Sequence, residues 1–322
     1  MNPGAMVLPA SPDAVARQSI ATLAKGSKSF RLASFFLPVD ARVDAAVVYA
    51  FCRRVDDAVD DAPTPAEARA AVERLHDELH GRAHATPELQ AFVSLMQGSE
   101  LHLRAAEALI EGVASDIGEV RVPDDRGLVR YAHGVAGTVG LLMCRVIGVT
   151  APRALPFALD LGIAMQITNI CRDVAADAQL GRIYLPADRL ARAGAAGVTP
   201  ATLQAPDETT RAAVVRVVAD LLALADRYYR SADLGMRYIP WRTRLAMIVA
   251  SRIYRRIGVK LTRAGGDPLR GRTVVGALEK LWTLCLALAA CLTPTLLGLG
   301  REPRHEADLH RGITDLPGAD PG

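Results

Sequence analysis

The chain has 322 residues, of which half are hydrophobic and 23% are charged, a balance that supports a packed core and excludes wholesale disorder. The 38 basic and 35 acidic side chains leave a formal charge of +3, too small to indicate a nucleic-acid-binding protein. Five cysteines occur without a C-x-x-C pair, as expected of reduced thiols in a cytoplasmic protein.

Hydrophobic residues recur at intervals of three and four along most of the chain, a pattern that predicts helices rather than strands. Proline and glycine separate these segments, and the composition does not shift between them. We therefore predict one all-α domain at 21–300, between a flexible segment at 1–20 and a disordered tail at 301–322. The predicted helices are 43–59, 66–80, 101–115, 128–146, 155–175, 211–236 and 241–260.

The first predicted helix contains the stretch YAFCRRVDDAVDD, at 49–61, with four aspartates among apolar residues. Asp56 and Asp60 are four residues apart and therefore project from one helical face. Like charges at that spacing repel by a few tenths of a kcal/mol per pair. The repulsion indicates a compensating positive charge, supplied by a neighbouring arginine such as Arg53 or by a cation.

A second acidic helix follows about 110 residues later, in the stretch AMQITNICRDVAADAQLGRIYLP. Asn169, Asp173 and Asp177 are each four residues apart, so they also share one face, with Gln166 about one turn earlier. Asparagine and aspartate supply the oxygen ligands that suit Mg²⁺ or Mn²⁺ better than zinc. Arg172 stands beside them.

The two acidic helices together favour a metal-assisted reaction of a diphosphate. A single D-x-x-x-D motif is usually a solvated helix face, but two such motifs in apolar helices, each beside an arginine, are harder to explain that way. If they face each other, they form a cage for hard cations, whose remaining positions phosphate oxygens can fill. Arg53 and Arg172 can then clamp the phosphate through their guanidinium groups.

A stretch of twenty residues without charge, 281–300, raises the question of a membrane span. Pro294 interrupts it, and only a short polar segment follows. We expect a core-packing or membrane-surface helix instead, and peripheral contact with the inner membrane face stays open for an otherwise cytoplasmic protein.

The two acidic stretches and their surroundings resemble the head-to-head prenyl synthases: phytoene, dehydrosqualene and squalene synthases. Further matching stretches are KGSKSFRLASFFLP near the N-terminus, LIEGVASDIG at 109–118, YAHGVAGTVG at 131–140, YYRSADLG at 228–235 and SRIYRRIG at 251–258. The sequences of these stretches are most similar to those of bacterial phytoene synthases. Gly26 and His133 depart from residues that many relatives carry, so no contact is transferred to them.

The resemblance implies an isoprenoid-synthase helical bundle with a central active-site cavity. It also implies Mg²⁺ as cofactor, with Mn²⁺ as an alternative and no need for NADPH. The implied metal ligands are Asp56, Asp60, Asn169, Asp173 and Asp177. The aspartates among them are catalytic together with Arg53, and the implied substrate contacts are Ser27, Lys28, Ser29, Phe30, Tyr49, Arg53, Gln166, Arg172, Tyr184 and Tyr254.

The reaction implied by the resemblance joins two geranylgeranyl diphosphates, through a cyclopropyl diphosphate, into phytoene, as the first step of carotenoid biosynthesis. Three alternatives stay open. The first is condensation of two C15 units to dehydrosqualene, presqualene diphosphate or squalene. The second is a class I terpene cyclase, whose second metal motif has the same spacing. The third is a non-catalytic helical scaffold. The sequence does not indicate the oligomeric state.

Overall fold

The computed structural model describes residues 12–25, 32–290 and 302–319, and helices dominate these ranges. Two short strands, β1 Val120–Arg121 and β2 Arg182–Ile183, pair in parallel. A π-helical turn at His133–Gly137, called the π-turn from here on, joins the helices Asp125–Ala132 and Thr138–Ile147. The helices are α1 Pro12–Lys25, α2 Val39–Asp60, α3 Pro65–Leu79, α4 Pro87–Met96, α5 Glu100–Ala114, α6 Asp125–Ala132, α7 Thr138–Ile147, α8 Leu155–Gln179, α9 Ala187–Arg192, α10 Pro200–Gln204, α11 Glu208–Gly235, α12 Trp241–Arg263 and α13 Ala277–Ala290.

The seven predicted helical segments all fold as helices, with ends within four residues of those expected. The segment 128–146 differs in that the π-turn divides it. Helices α1, α4, α9 and α10 were not predicted. For the last three the reason is length, because a helix of five to ten residues repeats its apolar spacing too few times to be recognised.

Local capping explains where several helices begin and end. Thr64, Thr86 and Asp207 each accept a hydrogen bond from the backbone N–H three residues later, at the starts of α3, α4 and α11. A proline follows each threonine at the first helical position, where its missing N–H costs nothing. Helix α7 ends at Gly148, whose φ of 78° favours glycine.

Helix α8 forms the centre of the bundle and packs against α7, α11 and α12. Its backbone approaches the π-turn so closely that a Cβ on Gly162 would lie 2.2 Å from the carbonyl oxygen of Ala136. Likewise, a Cβ on Gly140 would lie 2.4 Å from the carbonyl oxygen of Ala158. These glycines therefore serve close helix packing, which fixes α8 and its acidic face within the core.

Helix α8 also lies in the one described segment, Pro152–Gln179, that is long and apolar enough to cross a membrane. Within the protein, 78% of that apolar window is buried, as befits a core helix. The apolar stretch 281–300 is helical over its first ten residues, within α13, and residues 291–300 lie outside the described ranges.

The C-terminal segment differs from the disordered tail that we expected at 301–322. Its described part, 302–319, packs against the bundle, and the side chains of Leu309, Ile313 and Ala319 are buried. The hydroxyl of Tyr228, on α11, donates to the carbonyl oxygen of Leu309 at 2.7 Å. Polar composition suggested disorder, but partners distant in sequence satisfy these polar groups. Likewise, α1 covers much of the segment 1–20 expected to be flexible.

Candidate active site

The first acidic motif occupies the last two turns of α2. Its apolar neighbours Val55 and Val59 point into the core, which leaves Asp56 and Asp60 together on another face. Asp60 accepts a hydrogen bond from Arg182 Nη2 at 2.8 Å. Arg53 pairs instead with Asp57, one turn away on the same helix. Of these aspartates, therefore, Asp56 and Asp60 face the candidate site, whereas the charge of Asp57 is neutralised by Arg53.

The second motif lies near the C-terminal end of α8. Arg172 Nε donates to Asp173 Oδ1 at 2.8 Å, and Arg272, from the loop before α13, donates to the same oxygen at 2.9 Å. The side-chain amide of Asn169 donates to Gln166 at 3.4 Å. Its buried oxygen Oδ1 has no hydrogen-bond partner among the described residues.

Asp116, which follows α5, lies between the two motifs and electrostatically raises the pKa of both Asp56 and Asp177. Its carboxylate accepts hydrogen bonds from Tyr184 at 2.8 Å and Tyr131 at 2.9 Å, whose rings stack 4.7 Å apart. The stretch LIEGVASDIG, which contains Asp116, resembles the family, but no sequence pattern predicted a role for Asp116, Tyr131, Arg182 or Arg272.

Burial raises the pKa of Asp56 to about 7, with repulsion from Asp60 and Asp57 adding to it and the charge of Arg53 opposing it. Burial likewise raises the pKa of Asp177 to about 7, together with repulsion from Asp173. Negative charges gathered out of water in this way are stabilised by a bound cation.

The remaining predicted contacts divide into three groups. Tyr254, on α12, is buried near Arg172, and Tyr49 lies near Arg53. The hydroxyl of Tyr184 is engaged by Asp116. The third group, Ser27, Lys28, Ser29 and Phe30, lies outside the described residues.

A small apolar cavity, of about 40 Å³, opens along α8 on the N-terminal side of Gln166. Side chains of α7, α8, α11 and α12 line it, among them Cys144, Phe157, Leu161 and Met247. At 1.5 Å per residue, Leu161 and Phe157 lie roughly 12 and 18 Å along the helix axis from Asn169.

Comparison with known proteins identifies the family. The family model "Squalene/phytoene synthase" matches residues 23–279. A phytoene synthase of Rhodobacter capsulatus is 36% identical over 88% of this chain and 83% of its own, and a 15-cis-phytoene synthase of Enterobacter agglomerans is 35% identical over 88% and 97%. The chain belongs to the squalene/phytoene synthase family.

Solved structures place the chain within the same fold. A dehydrosqualene synthase crystallised with a ligand has a TM-score of 0.76 at 26% identity, over 85% of this chain and 95% of the other. Squalene synthase HpnC from Alicyclobacillus acidocaldarius has a TM-score of 0.69 at 23% identity, over 79% and 95%, which supports the fold alone. The expected isoprenoid-synthase bundle is confirmed.

The side chains of this squalene/phytoene synthase family member fit a hard divalent cation. Asn169 Oδ1 is a buried acceptor that meets no donor within the described part of the chain, as an oxygen held for a metal ion would be. Asp56 and Asp177 carry raised pKa values that a cation would lower again. The donor set consists of carboxylate and amide oxygens, which match Mg²⁺ or Mn²⁺.

Proposed function

We propose that the protein condenses two geranylgeranyl diphosphates head to head into phytoene, with release of diphosphate, as the first step of carotenoid biosynthesis. The observation that carries this proposal is the likeness to phytoene synthases, at 34–36% identity over 88% of the chain for three of them. The reaction makes the protein a prenyltransferase, with prephytoene diphosphate, a cyclopropyl compound, as its intermediate.

The five oxygen-bearing side chains hold the metal that this reaction requires. Asp56 and Asp60 serve from α2, and Asn169, Asp173 and Asp177 serve from α8. Bound Mg²⁺, or Mn²⁺ in its place, neutralises the charge that develops on the departing diphosphate.

The arginines at the site change partners when substrate arrives. Arg172 and Arg272 now share Asp173, and Arg182 holds Asp60. With these carboxylates holding the metal, the three guanidinium groups would be free to bind phosphate oxygens, which they bind well in pairs. Arg53, half exposed beside Asp57, is placed to bind in the same way, with Gln166 and the segment 27–30 completing the substrate contacts.

The phenols of Tyr131 and Tyr184 serve as hydrogen-bond donors rather than as bases. Burial and the charge of Asp116 raise the pKa of both hydroxyls above their usual range, so both stay protonated. Proton loss from the final carbocation then falls to the released diphosphate, a strong acceptor already at the site.

The apolar walls protect the cationic intermediates from water. Water reaching a carbocation would end the reaction as an alcohol, so a site for this chemistry must be dry. The apolar side chains beside Leu161 mark where the far end of a prenyl chain would lie when its diphosphate is at Asp173. The ring of Tyr254, beside Arg172, can stabilise positive charge on the chain.

Product analysis with purified protein and Mg²⁺ tests this proposal. The protein is offered C15 and C20 prenyl diphosphates separately, each with and without NADPH. We expect a C40 hydrocarbon from the C20 substrate, in an amount independent of NADPH. A C30 product from the C15 substrate alone would overturn the substrate assignment. If neither substrate gave a condensation product, a class I terpene cyclase and a non-catalytic helical scaffold would become the favoured hypotheses.

C15 condensation is the second candidate because of two similarities. A presqualene diphosphate synthase of Rhodopseudomonas palustris is 30% identical over 86% of this chain, and the dehydrosqualene synthase structure shares the fold. Both identities are lower than those of the phytoene synthases, so the C20 substrate is favoured.

Transient membrane docking follows from the lipid nature of substrate and product. Helix α13 exposes an apolar stripe at three-and-four spacing, in which Leu278, Leu281 and Trp282 are 83%, 58% and 62% exposed. We propose that this stripe rests on the inner membrane face.

Replacing Leu278 and Trp282 by glutamate should abolish flotation with liposomes, whereas Val39→Glu, at an equally exposed site on α2, should not. Equal flotation of all three proteins would exclude the stripe.

A further inference from the structure

A buried cluster of one carboxylate and two imidazoles joins the C-terminal segment to the core helix. Asp160 of α8 is 0% exposed, His310 is 2% exposed and His305 is 15% exposed. Nε2 of His305 lies 2.8 Å from Asp160 Oδ2, and Nε2 of His310 lies 2.8 Å from Oδ1. The proposed condensation uses none of these groups, and Asp160 lies about 20 Å along the helix from Asp173.

The hydrogen bonds of His310 define an unusual electrostatic requirement. Its Nδ1 lies 3.1 Å from the carbonyl oxygen of Ala319. Because a carbonyl only accepts, Nδ1 carries the hydrogen, and Nε2 of the neutral ring presents a lone pair to Asp160. A lone pair and a carboxylate oxygen 2.8 Å apart repel unless a positive charge joins them, either a second ring proton or a metal ion.

Three features favour the metal ion. His305 and His310 have four residues between them, within the spacing of paired histidine ligands. The bond from Nδ1 of His310 to a backbone carbonyl is the outer contact that ligating histidines make almost always. The ligand atoms of all three residues lie within 4.8 Å of one another. The competing arrangement is a second proton on His310, with neutral His305 donating from Nε2 to the other oxygen of Asp160.

We propose that Asp160, His305 and His310 bind a divalent transition-metal ion of the Zn²⁺ class, which fastens the C-terminal segment to α8. Imidazole nitrogens favour such ions over Mg²⁺, which separates this site chemically from the oxygen-only set at Asp173. Three protein ligands leave a fourth tetrahedral position for water. His305 lies at the exposed side of the cluster, where an ion can enter.

The segment around the cluster explains why a metal would matter there. The one helical turn of residues 302–319 is Ala307–His310, and besides a few buried side chains such as Ile313 the segment is held to the bundle by ion pairs such as Arg130 with Asp315. Exposed ion pairs contribute little, about 0–1 kcal/mol each. A metal bound to the native form adds stability that grows with its concentration.

Metal content distinguishes this proposal from a proton-linked contact. The full-length protein is equilibrated with Zn²⁺ in excess Mg²⁺, which occupies the aspartate motifs, and is then desalted. We expect one Zn²⁺ per chain by elemental mass spectrometry, d–d absorption bands when Co²⁺ replaces it, and a higher Tm with Zn²⁺ than without. The variant His305→Ala should bind Zn²⁺ about tenfold more weakly or worse and lose the Tm increase.

Two further variants control for indirect effects. Arg227→Gln removes the ion pair with Glu306, and with it an anchor of the same segment but no metal ligand, so its Zn²⁺ content should match that of the unaltered chain. His310→Gln tests the more buried ligand and should behave as His305→Ala does. Absence of bound Zn²⁺, equal binding by the histidine variants, or stability that follows pH but not Zn²⁺ would overturn the proposal. Product formation is not the readout, so failure of the proposed condensation leaves this test intact.

Discussion

At the scale of single residues, position on the helix decides which aspartates can take part in chemistry. Asp56 is partly buried and its pKa is raised, whereas Asp61 is exposed at the end of α2. Asp57 is paired with Arg53. The sequence run looks uniform, but Asp56 and Asp60 share the face that lies near Asp116.

The pair Asp56 and Asp61 provides a matched test of the metal assignment. Asp56→Asn should lower the rate of diphosphate release by roughly 100-fold or more, because one anionic ligand at a developing charge is lost. Asp61→Asn, a change of the same chemistry in the same run, should leave the rate within about twofold. The measurement is steady-state diphosphate release with Mg²⁺, and normal turnover by Asp56→Asn would contradict the assignment.

Asp116 organises two tyrosines that belong to other elements, and its replacement should expose that role. Asp116→Asn keeps the shape but offers only one acceptor oxygen to the two hydroxyls. We expect diphosphate release about 10- to 100-fold slower, the range seen when a residue that orients ligands is changed. Asp125→Asn, which removes another carboxylate partner outside the site, is the control. Equal rates for both variants would exclude a role for Asp116.

At the scale of elements, the close approach between α8 and the π-turn holds the second motif in register. Gly162 and Gly140 permit the two backbones to meet where any side chain would clash with a carbonyl oxygen. Gly140, the last residue of the stretch YAHGVAGTVG, is therefore explained by helix packing, independently of ligand binding. Because both clashes involve backbone atoms, neither can be relieved by a side-chain rotation.

Gly162→Ala should destabilise the bundle measurably. A Cβ placed 2.2 Å from the Ala136 carbonyl oxygen forces the helices apart, and overpacking of this kind costs about 1–3 kcal/mol or more. Urea unfolding followed by circular dichroism measures the loss. Gly276→Ala is the control, since the nearest atom to its Cβ would be 3.7 Å away, and it should change stability by less than about 0.5 kcal/mol. Equal stability of the two variants would contradict the packing argument.

At the scale of the whole molecule, the described C-terminal segment is part of the domain. Ile313 is 0% exposed, and Gly318 packs against Leu141 of α7. His133, in the π-turn, bonds to the carbonyl oxygen of Pro317 at 3.0 Å. The segment therefore covers the π-turn on which the position of α8 depends.

Ile313→Ala should destabilise the whole domain rather than release a loose end. Removing a buried isoleucine side chain typically costs about 2–5 kcal/mol, through lost apolar burial and the cavity left behind. We expect one unfolding transition at lower urea concentration. Val274→Ala, at a 64% exposed site, should unfold as the unaltered chain does. An unchanged midpoint for Ile313→Ala would mean that the segment contributes nothing to the core.

The sequence by itself determined the long helices and the grouping of the proposed ligands into two sets, because both depend on spacing within a single helix. Residues four apart share a face whatever surrounds them, so Asp173 and Asp177 could be grouped before any fold was known. Only the tertiary structure decided which residues meet across the bundle. Asp116 with Tyr184, Asp173 with Arg272, and Asp160 with His305 join positions 68, 99 and 145 residues apart. No local pattern encodes such pairings, since they depend on how whole helices pack.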